Sequence, residues 1–247
     1  MKIAAIFSDY DGTLAPEDAR LESSRVPKEI EEPLRVLNSK IPVAIVTSKD
    51  YTFVRPRTEF ARAWACVSGL EVVLTGGRTF ASSHTKNRLI EGLNYVRSHK
   101  GPGLELELKH GTKGELLAFS VDWRRARRPP SRFIATATSE LASMDLKVVY
   151  DPTRPFLDVF GGTPDKGRAV RELKRHLKIA GKVLFIGDSV ADNLAFGEAD
   201  VAICVTHGQS LEGLACGFTL RHEELGHFLR SLADNHLSLN LRALARR

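Results

Sequence analysis

The stretch Ile3-Ala-Ala-Ile-Phe-Ser-Asp9-Tyr-Asp11-Gly12-Thr13-Leu14 decides how the rest of the sequence is interpreted. An apolar run of strand length ends at two aspartates spaced two residues apart, and Gly12-Thr13 then breaks the strand. Because side chains alternate along an extended strand, Asp9 and Asp11 can project from one side at its carboxyl end. Two interpretations are open here: a polar surface turn, or acids placed where open α/β sheets bind ligands.

The composition indicates a folded globular protein with a basic balance. The chain has 247 residues and a formal net charge of +6, which suits an anionic ligand, so nucleic acid has to be considered. The densest basic cluster comprises Arg124, Arg125, Arg127 and Arg128. Only Trp123 adjoins it, whereas a single-strand binding platform interleaves several aromatic residues, so we interpret the cluster as a solvated loop.

The cysteines and the hydrophobic runs bear on the cellular compartment. Cys66, Cys204 and Cys216 are odd in number, widely spaced and set in apolar surroundings, which predicts buried reduced thiols and not a disulfide framework or zinc site. The apolar start is too short for a secretory signal, and no later run is long enough to span a membrane. We therefore expect a cytoplasmic protein without a membrane segment.

Two parts of the chain have the alternating strand and helix pattern of a parallel α/β sheet. Buried apolar runs of strand length alternate there with segments of helical spacing. The predicted elements are strand 3–8, helix 27–37, strand 41–47, helix 51–65 and a short strand with its following turn, 65–71, and then, after Gly161-Gly162, helix 165–177, strand 182–188, helix 190–197, strand 201–205 and a mostly helical end, 211–247.

The segment between these two parts has a different pattern of predicted helices and strands. After a predicted hairpin around Gly76-Gly77, a helix followed by two strands occurs twice, and Leu104-Glu-Leu-Glu-Leu alternates as in a sheet with one solvated face. The predicted helices are 85–99 and 131–144, and the strand pairs are 104–109 with 115–123 and 146–150 with 156–160. We predict an α/β fold in which a Rossmann-like parallel sheet core, residues 1–74 and 161–247, carries an inserted α+β cap domain, residues 75–160.

Three predicted parallel strands end in polar side chains, namely Asp9 and Asp11, Thr47, and Asp188 with Asp192 one turn later. The carboxyl ends of parallel strands lie on one edge of the sheet, so these groups should converge on a single crevice. Four carboxylates there would repel one another unless a cation or a substrate neutralised them, and Lys166 is the nearby compensating charge. The convergence favours a functional site over a surface turn.

These residue types suit phosphoryl chemistry. Carboxylates are ligands for Mg²⁺, which prefers oxygen and binds substrate phosphates. With an ordinary pKa of about 3.9, Asp9 is an anionic nucleophile at neutral pH. A metal and Lys166 would offset its repulsion from the phosphoryl group. Asp11 can protonate the leaving oxygen and then deprotonate the water that hydrolyses the aspartyl-phosphate.

With these residues the chain resembles the haloacid dehalogenase-like (HAD) phosphatases, whose four signatures appear in order. They are Asp9-Tyr-Asp11-Gly12-Thr13, Thr47 at a strand end, Lys166, and Gly187-Asp188-x-x-x-Asp192. The resemblance implies Asp9 as nucleophile, Asp11 as general acid and base, and Thr47, Ser48 and Lys166 as phosphate-binding residues. It also implies Mg²⁺ held by Asp9, the Asp11 backbone carbonyl, Asp188 and, directly or through water, Asp192.

The segment 75–160 is similar to the large cap of the subfamily that includes sugar phosphatases, and trehalose-6-phosphate phosphatases are the nearest pattern. Gly69-Leu-Glu71, Glu107-Leu-Lys109 and Asp158 resemble their sugar-binding positions, which makes Glu71, Lys109 and Asp158 candidate substrate residues; each also fits an ordinary strand position. Two departures are Val46-Thr47-Ser48-Lys49 in place of Thr-Gly-Arg, and a fourth signature without paired acids.

We therefore expect a Mg²⁺-dependent phosphomonoesterase acting on a small-molecule phosphate ester, similar to trehalose-6-phosphate, through an aspartyl-phosphate. Lys113 and Arg154 could meet a second anionic group, so phosphoglycolate and mannosyl-3-phosphoglycerate are alternative substrates. A phosphotransferase or phosphomutase is a second enzymatic alternative. A nucleic-acid-binding module using Arg124–Arg128 is an alternative of another class, although we expect neither a nucleic-acid nor a membrane partner; the oligomeric state is not indicated.

Overall fold

The computed structural model describes residues 1–16, 23–77, 79–81, 86–126, 128–152, 154–208, 212–241 and 244–246. The chain forms two compact units, the first made of Met1–Lys49, Phe53–Phe80 and Asp165–Arg247, and the second of Asp50–Thr52 and Ala81–Pro164. None of the helices in the described ranges combines the length and apolar character needed to cross a membrane.

The strands and helices alternate along most of the chain. In order they are β1 (Ile3–Ser8), α1 (Lys28–Lys40), β2 (Val43–Val46), α2 (Tyr51–Val54), β3 (Ala63–Cys66), β4 (Glu71–Leu74), β5 (Thr79–Ala81), α3 (Lys86–His99), β6 (Glu105–His110), β7 (Leu116–Asp122), α4 (Ser131–Ser143), β8 (Lys147–Tyr150), β9 (Phe156–Phe160), α5 (Lys166–His176), β10 (Lys182–Gly187), α6 (Asn193–Glu198), β11 (Val201–Thr206), β12 (Phe218–Arg221), α7 (His222–Asp234) and β13 (Ala245–Arg246).

The first unit is organised by a nine-stranded sheet in the order β13-β12-β11-β10-β1-β2-β3-β4-β5. The strands from β12 to β3 pair in parallel, while β13 and β4 pair antiparallel with their neighbours. All four residues of β2 and of β3 are buried, as expected of parallel strands covered on both faces. The predicted α/β class with a parallel sheet is confirmed.

Helices cover the sheet on two sides. Apolar residues of α5 and α6, such as Val170 and Phe196, share one buried cluster with Phe7 and Val46 of the sheet. The helices α1 and α7 pack closely against each other, since a Cβ added at Gly226 would lie 2.5 Å from the carbonyl oxygen of Glu29. The strands are thereby fixed, and with them the residues that follow their carboxyl ends.

The second unit contains a four-stranded antiparallel sheet in the order β6-β7-β9-β8. One face of this sheet packs against α3 and α4. The shared core comprises Leu89, Leu93, Val96, Ile134, Ala137, Leu141, Phe119, Val121, Leu157 and Val159. The repeated helix, strand, strand order follows the predicted α+β segment.

Two predicted helical segments differ from the structure. Helix 51–65 stops early: α2 has four residues, and a 3-10 turn at Arg55–Arg57 follows. Pro56 explains the stop, because proline removes a backbone donor and disfavours helical backbone at the preceding residue. The C-terminal stretch was predicted to be mostly helical, but β12 extends the parallel sheet beside β11, and β13 pairs with β12.

The prediction of three reduced cysteines is wrong for two of them. Cys204, in β11, and Cys216, before β12, form a disulfide with a Cα–Cα distance of 5.7 Å, whereas Cys66 is a buried thiol that is not part of it. The chain after β11 turns back to begin β12 beside it, and this return brings the two sulfur atoms together. Spacing along the sequence does not reveal such a return.

Candidate active site

Asp9 follows β1 at the carboxyl edge of the first unit's sheet. Its backbone N–H donates to Ile186 O at 2.9 Å, and only 6% of the residue is exposed. The next side chain, Tyr10, is fully buried, with its ring edge-on to Phe53 at 6.0 Å and its hydroxyl donating to Ser24 O at 3.1 Å. This anchor fixes the residue between the two predicted acids.

The turn after Tyr10 brings the first signature against Asp188. Gly12 has φ +73°, and a Cβ added there would lie 2.5 Å from Asp188 Oδ2. Thr13 Oγ1 donates to Asp188 Oδ1 at 2.9 Å. Glycine at position 12 is therefore required twice, by the left-handed backbone and by the close approach of a carboxylate.

Asp192 holds the turn that follows β10. It is fully buried, and its Oδ2 accepts hydrogen bonds from the backbone N–H groups of Asp188 and Ser189, both at 3.1 Å. A Cβ added at Gly187 would lie 2.7 Å from Asp192 Cγ, so the carboxylate lies tightly against this glycine. Asp192 thus orients the chain that carries Asp188.

Lys166, the first residue of α5, supplies the positive charge. The helix is capped by Asp165, whose Oδ1 accepts from the backbone N–H of Arg168 at 2.8 Å. Lys166 Nζ lies 2.6 Å from Asp192 Oδ1 and 3.1 Å from Asp9 Oδ1. Burial alone would lower the pKa of Lys166, but the carboxylates of Asp192 and Asp9 outweigh it and raise the pKa above its ordinary value, so the ammonium stays charged.

The three carboxylates form a candidate metal centre. Asp9, Asp188 and Asp192 are all buried, and each offers an oxygen within 4.8 Å of the others. Burial raises the pKa of Asp9 well above its ordinary value; Lys166 opposes this, while Asp192 and Asp188 reinforce it. An all-oxygen donor set with excess negative charge fits Mg²⁺. Both oxygens of Asp192 already accept from Lys166 or backbone N–H groups, which leaves Asp9 and Asp188 as the more direct ligands.

Thr47 and Asp11 lie at the ends of neighbouring strands. Thr47 is fully buried after β2, and its Oγ1 accepts from the backbone N–H of Lys49 at 3.1 Å; Ser48 beside it is partly buried. The Asp11 side chain is 36% exposed, with Lys49 Nζ at 4.0 Å. Sequence reasoning did not assign Lys49 to the site, and its signal was its position two residues after Thr47.

The turn predicted after the third strand joins the end of β2 to the start of α5, but its left-handed backbone was not predicted from the sequence. Val67, Ser68 and Gly69 all have positive φ, at 49°, 52° and 84°. Ser68 donates its backbone N–H to Thr47 O at 2.8 Å and accepts from the N–H of Asp165, also at 2.8 Å. Left-handed backbone at non-glycine residues costs on the order of 1–3 kcal/mol each and persists at sites where the surrounding structure requires it.

The candidate substrate residues occupy different environments. Glu71 is the first residue of β4 and is buried opposite Cys66. The candidates Lys109 and Asp158 lie in the second unit. There Lys109 Nζ is 2.9 Å from Asp158 Oδ1, and the two side chains are 3% and 13% exposed. Ser120 Oγ donates to the same Asp158 oxygen. Lys109 and Asp158 thus bind each other across the sheet.

The remaining basic candidates lie on connections of the second unit. Lys113 is exposed between β6 and β7, and Arg154 is partly exposed between β8 and β9. Within the predicted arginine cluster, Arg124 pairs with Asp122 at 2.5 Å, and Arg125 pairs with Glu105 at 2.7 Å. Arg127 lies outside the described residues, as does Thr85, which we predicted to cap α3.

Comparisons with known proteins identify the fold. No protein-family model and no curated protein matches the sequence. A solved structure of a trehalose-6-phosphate phosphatase related protein matches with 18% identity and a TM-score of 0.72, over 94% of this chain and 98% of that one. The C-terminal domain of trehalose-6-phosphate phosphatase from C. albicans matches with 17% identity and a TM-score of 0.75, over 94% and 92%. A HAD subclass IIB sugar phosphatase matches with 12% identity and a TM-score of 0.65, over 95% and 100%.

These likenesses cover nearly the whole chain and include both units. At identities of 12–18%, these likenesses establish the fold but do not establish the substrate. Over nearly its whole length, the chain therefore has the fold of the HAD superfamily phosphatases, among them trehalose-6-phosphate phosphatase and sugar phosphatase structures.

Proposed function

We propose that this protein is a Mg²⁺-dependent phosphomonoesterase that hydrolyses a small phosphate ester through an aspartyl-phosphate intermediate. The observation that carries the proposal is the buried group of Asp9, Asp188 and Asp192 around Lys166 at the carboxyl edge of a parallel sheet. A cluster with three acids and one base has an unbalanced charge, which a divalent cation and a phosphoryl group together would complement.

In the first step, a carboxylate oxygen of Asp9 attacks phosphorus. The new bond joins Asp9 to the phosphoryl group as the bond from phosphorus to the ester oxygen breaks. Asp11, whose side chain is partly exposed, donates a proton to the leaving oxygen, so that the alcohol departs neutral. Lys166 and the hydroxyls of Thr47 and Ser48 hold the phosphoryl oxygens.

In the second step, Asp11 takes a proton from water, and the resulting nucleophile attacks phosphorus. The bond to Asp9 breaks, inorganic phosphate leaves and both acids return to their starting protonation states. Asp9 and Asp188 would hold the cation, together with the backbone carbonyl of Asp11, while Asp192 orients Asp188 and Lys166. Mg²⁺ supplies positive charge that offsets the anionic phosphoryl group.

The substrate class is proposed from the fold comparisons and from the second unit. The likeness of the chain to sugar phosphatase and trehalose-6-phosphate phosphatase structures supports a sugar phosphate as the substrate. Glu71, Lys109 and Asp158 remain the candidate sugar-binding residues, and Lys113 and Arg154 the candidates for a second anionic group. We expect no nucleic-acid partner; among the described arginines of the cluster, Arg124 and Arg125 each pair with an acid, and Arg128 is exposed.

The mechanism is tested by phosphate release from an aryl phosphate with and without Mg²⁺. We expect release that requires the cation and that Asp9→Asn abolishes, while Asp145→Asn, at an acid with 69% side-chain exposure, retains it. Full activity of Asp9→Asn would refute the nucleophile. A panel of phosphorylated sugars and two-carbon and three-carbon acid phosphates then ranks substrates, and added sugar acceptors reveal any transfer of phosphate in place of hydrolysis.

A further inference from the structure

The chain between Cys204 and Cys216 contacts both turns that carry the acids of the site. We call its described residues, 205–208 and 212–215, the disulfide-closed connection; residues 209–211 lie outside the described part of the chain and are not included in it. One contact reaches the turn after β1, and the other reaches the turn after β10. Neither contact is used in the mechanism proposed above.

The first contact is made by His207, the residue after β11. Its Nε2 lies 2.8 Å from the carbonyl oxygen of Gly12. Because a carbonyl only accepts, the ring must carry its proton on Nε2 to form this bond. The His207 ring also stacks on His222 of α7, with centroids 4.7 Å apart and planes at 27°, which fixes its orientation.

The contact of His207 reaches the turn at Gly12, which packs directly against Asp188. Gly12 lies so close to Asp188 that an added Cβ would lie 2.5 Å from the carboxylate oxygen, and Thr13 donates to the other oxygen of Asp188 at 2.9 Å. A shift of the Gly12 carbonyl therefore moves the groups packed directly on Asp188.

The second contact is made by Asn193, which directly follows Asp192. Its Nδ2 donates to Gly213 O at 2.8 Å, and its Oδ1 accepts from the backbone N–H of Ala215, also at 2.8 Å. Both the nitrogen and the oxygen of the Asn193 side-chain amide therefore bond to the disulfide-closed connection. The turn that holds Asp192 is tied to the chain just before Cys216.

The disulfide anchors both ends of this connection. Cys204 lies in β11 opposite Gly187 of β10, the residue immediately before Asp188. The bond to Cys216 closes a sequence separation of 12 residues. The disulfide ties Cys216, the residue after Ala215, to β11 beside the turn that carries Asp188, and so constrains where the described residues meet Gly12 and Asn193.

We propose that the disulfide-closed connection positions the two acid-bearing turns for divalent-cation binding, with His207 and Asn193 as positioning residues and the Cys204–Cys216 disulfide as the constraint that holds them. The inference rests on the proposed function, because it takes the Asp9, Asp188 and Asp192 cluster to be the cation site. Groups that orient metal ligands from outside the coordination shell typically change metal affinity about 10–100-fold when they are removed.

The test measures Mn²⁺ binding to the full-length protein by the electron paramagnetic resonance signal of the free ion. His207→Leu removes the donor to Gly12, whereas His207→Gln keeps an N–H donor on a side chain of comparable reach. We expect His207→Leu to weaken Mn²⁺ binding about 10-fold and His207→Gln to recover most of the loss. Cys204→Ala/Cys216→Ala should weaken binding about 10-fold as well, and Cys66→Ala, which removes the buried cysteine outside the disulfide, should not.

Binding is measured below the start of thermal unfolding of each variant and expressed per folded molecule. Wild-type affinity in folded His207→Leu, or equal losses in His207→Leu and His207→Gln, would overturn the role of His207. Wild-type affinity in the double alanine variant would overturn the role of the disulfide. If the wild-type protein binds no Mn²⁺, or Asp188→Asn binds it equally well, the proposed cation site itself fails, and this outcome is distinct from the others.

Discussion

The ammonium of Lys166 lies 2.6 Å from Oδ1 of Asp192, and the two side chains are 4% and 0% exposed. The same nitrogen lies 3.1 Å from Asp9 Oδ1. One buried cation therefore neutralises charge on two acids from different strands and joins the start of α5 to both. Removing one member of such a group leaves an uncompensated buried charge, which costs more than the intact pair contributes.

Replacing Lys166 with methionine should destabilise the protein strongly. We expect a loss of about 3–5 kcal/mol in the free energy of unfolding, the usual cost of breaking a buried ion pair from one side. Urea unfolding in the presence of a chelator measures it. Lys182→Met is the matched control, because Lys182 pairs with Asp200 at 2.8 Å with 57% exposure and should cost less than about 1 kcal/mol. Similar losses of unfolding free energy in Lys166→Met and Lys182→Met would contradict the assignment of Lys166 to a buried ion pair that stabilises the fold.

The stability of the metal-free protein should depend on the ionisation of Asp9. Burial raises the pKa of Asp9 in the folded protein. Its contribution to stability is fully present below the unfolded-state pKa of about 4 and is lost as the pH rises through the raised folded-state value. Asp9→Asn lacks this dependence, so its stability relative to the wild type should increase with pH above about 4.

Chelator-treated proteins unfolded by urea across a pH series measure this difference, and added Mg²⁺ should reduce it, because the cation favours ionised Asp9. Asp145→Asn, which removes an acid whose side chain is 69% exposed, is the control for the loss of a carboxylate away from the site. A stability of Asp9→Asn relative to the wild type that stays constant or falls with rising pH would show that Asp9 ionises at least as readily in the folded protein as in the unfolded chain.

Alanine at position 12 should separate backbone strain from a specific clash. Gly12 has φ +73° and Gly77 has φ +81°, but only at Gly12 would the new Cβ meet another group, at 2.5 Å from Asp188; at Gly77 it meets nothing within 4 Å. Both alanines should cost about 1–3 kcal/mol in strain. Gly12→Ala should also lower the turnover rate about 100-fold or more, because the new Cβ displaces the Asp188 carboxylate. Steady-state kinetics that show equal rates for the two variants would exclude the clash.

The Lys109–Asp158 pair should contribute to the stability of the second unit. Its side chains are 3% and 13% exposed, so each single change, Lys109→Met or Asp158→Asn, should cost about 3 kcal/mol. The double variant should cost less than the sum of the two, which a double-mutant cycle in urea detects. The exposed Arg125–Glu105 pair serves as the control, with 72% and 53% side-chain exposure and a coupling below about 1 kcal/mol. Additive losses at Lys109 and Asp158 would show that they act independently.

The local patterns were sufficient for the core of the first unit. The strands β1, β2 and β10 are continuous apolar runs because both faces of a parallel sheet are covered, and such runs are visible without a structure. Polar residues at their ends had to meet at one edge, since parallel strands share a direction. This is why Asp9 and Asp188 could be grouped from the sequence, and Lys166, at the start of α5, was added as the compensating charge.

Other features depended on neighbours that are distant in the chain. The strand Phe218–Arg221 alternates apolar and polar residues over only four positions, which is too short a run to identify a strand, and it is a strand because β11 offers it an edge. The ion pair between Lys109 and Asp158 required the register of β6, β7 and β9, which places the two side chains on one face.

The sequence by itself therefore determined the class of the fold and the group of acids, because strand length, burial and the direction of parallel strands follow from local residue patterns. Only the tertiary structure decided that Cys204 bonds to Cys216, that His207 reaches Gly12 and that both oxygens of Asp192 are occupied by Lys166 and the backbone. Each of these contacts joins segments whose approach depends on how the whole sheet is assembled.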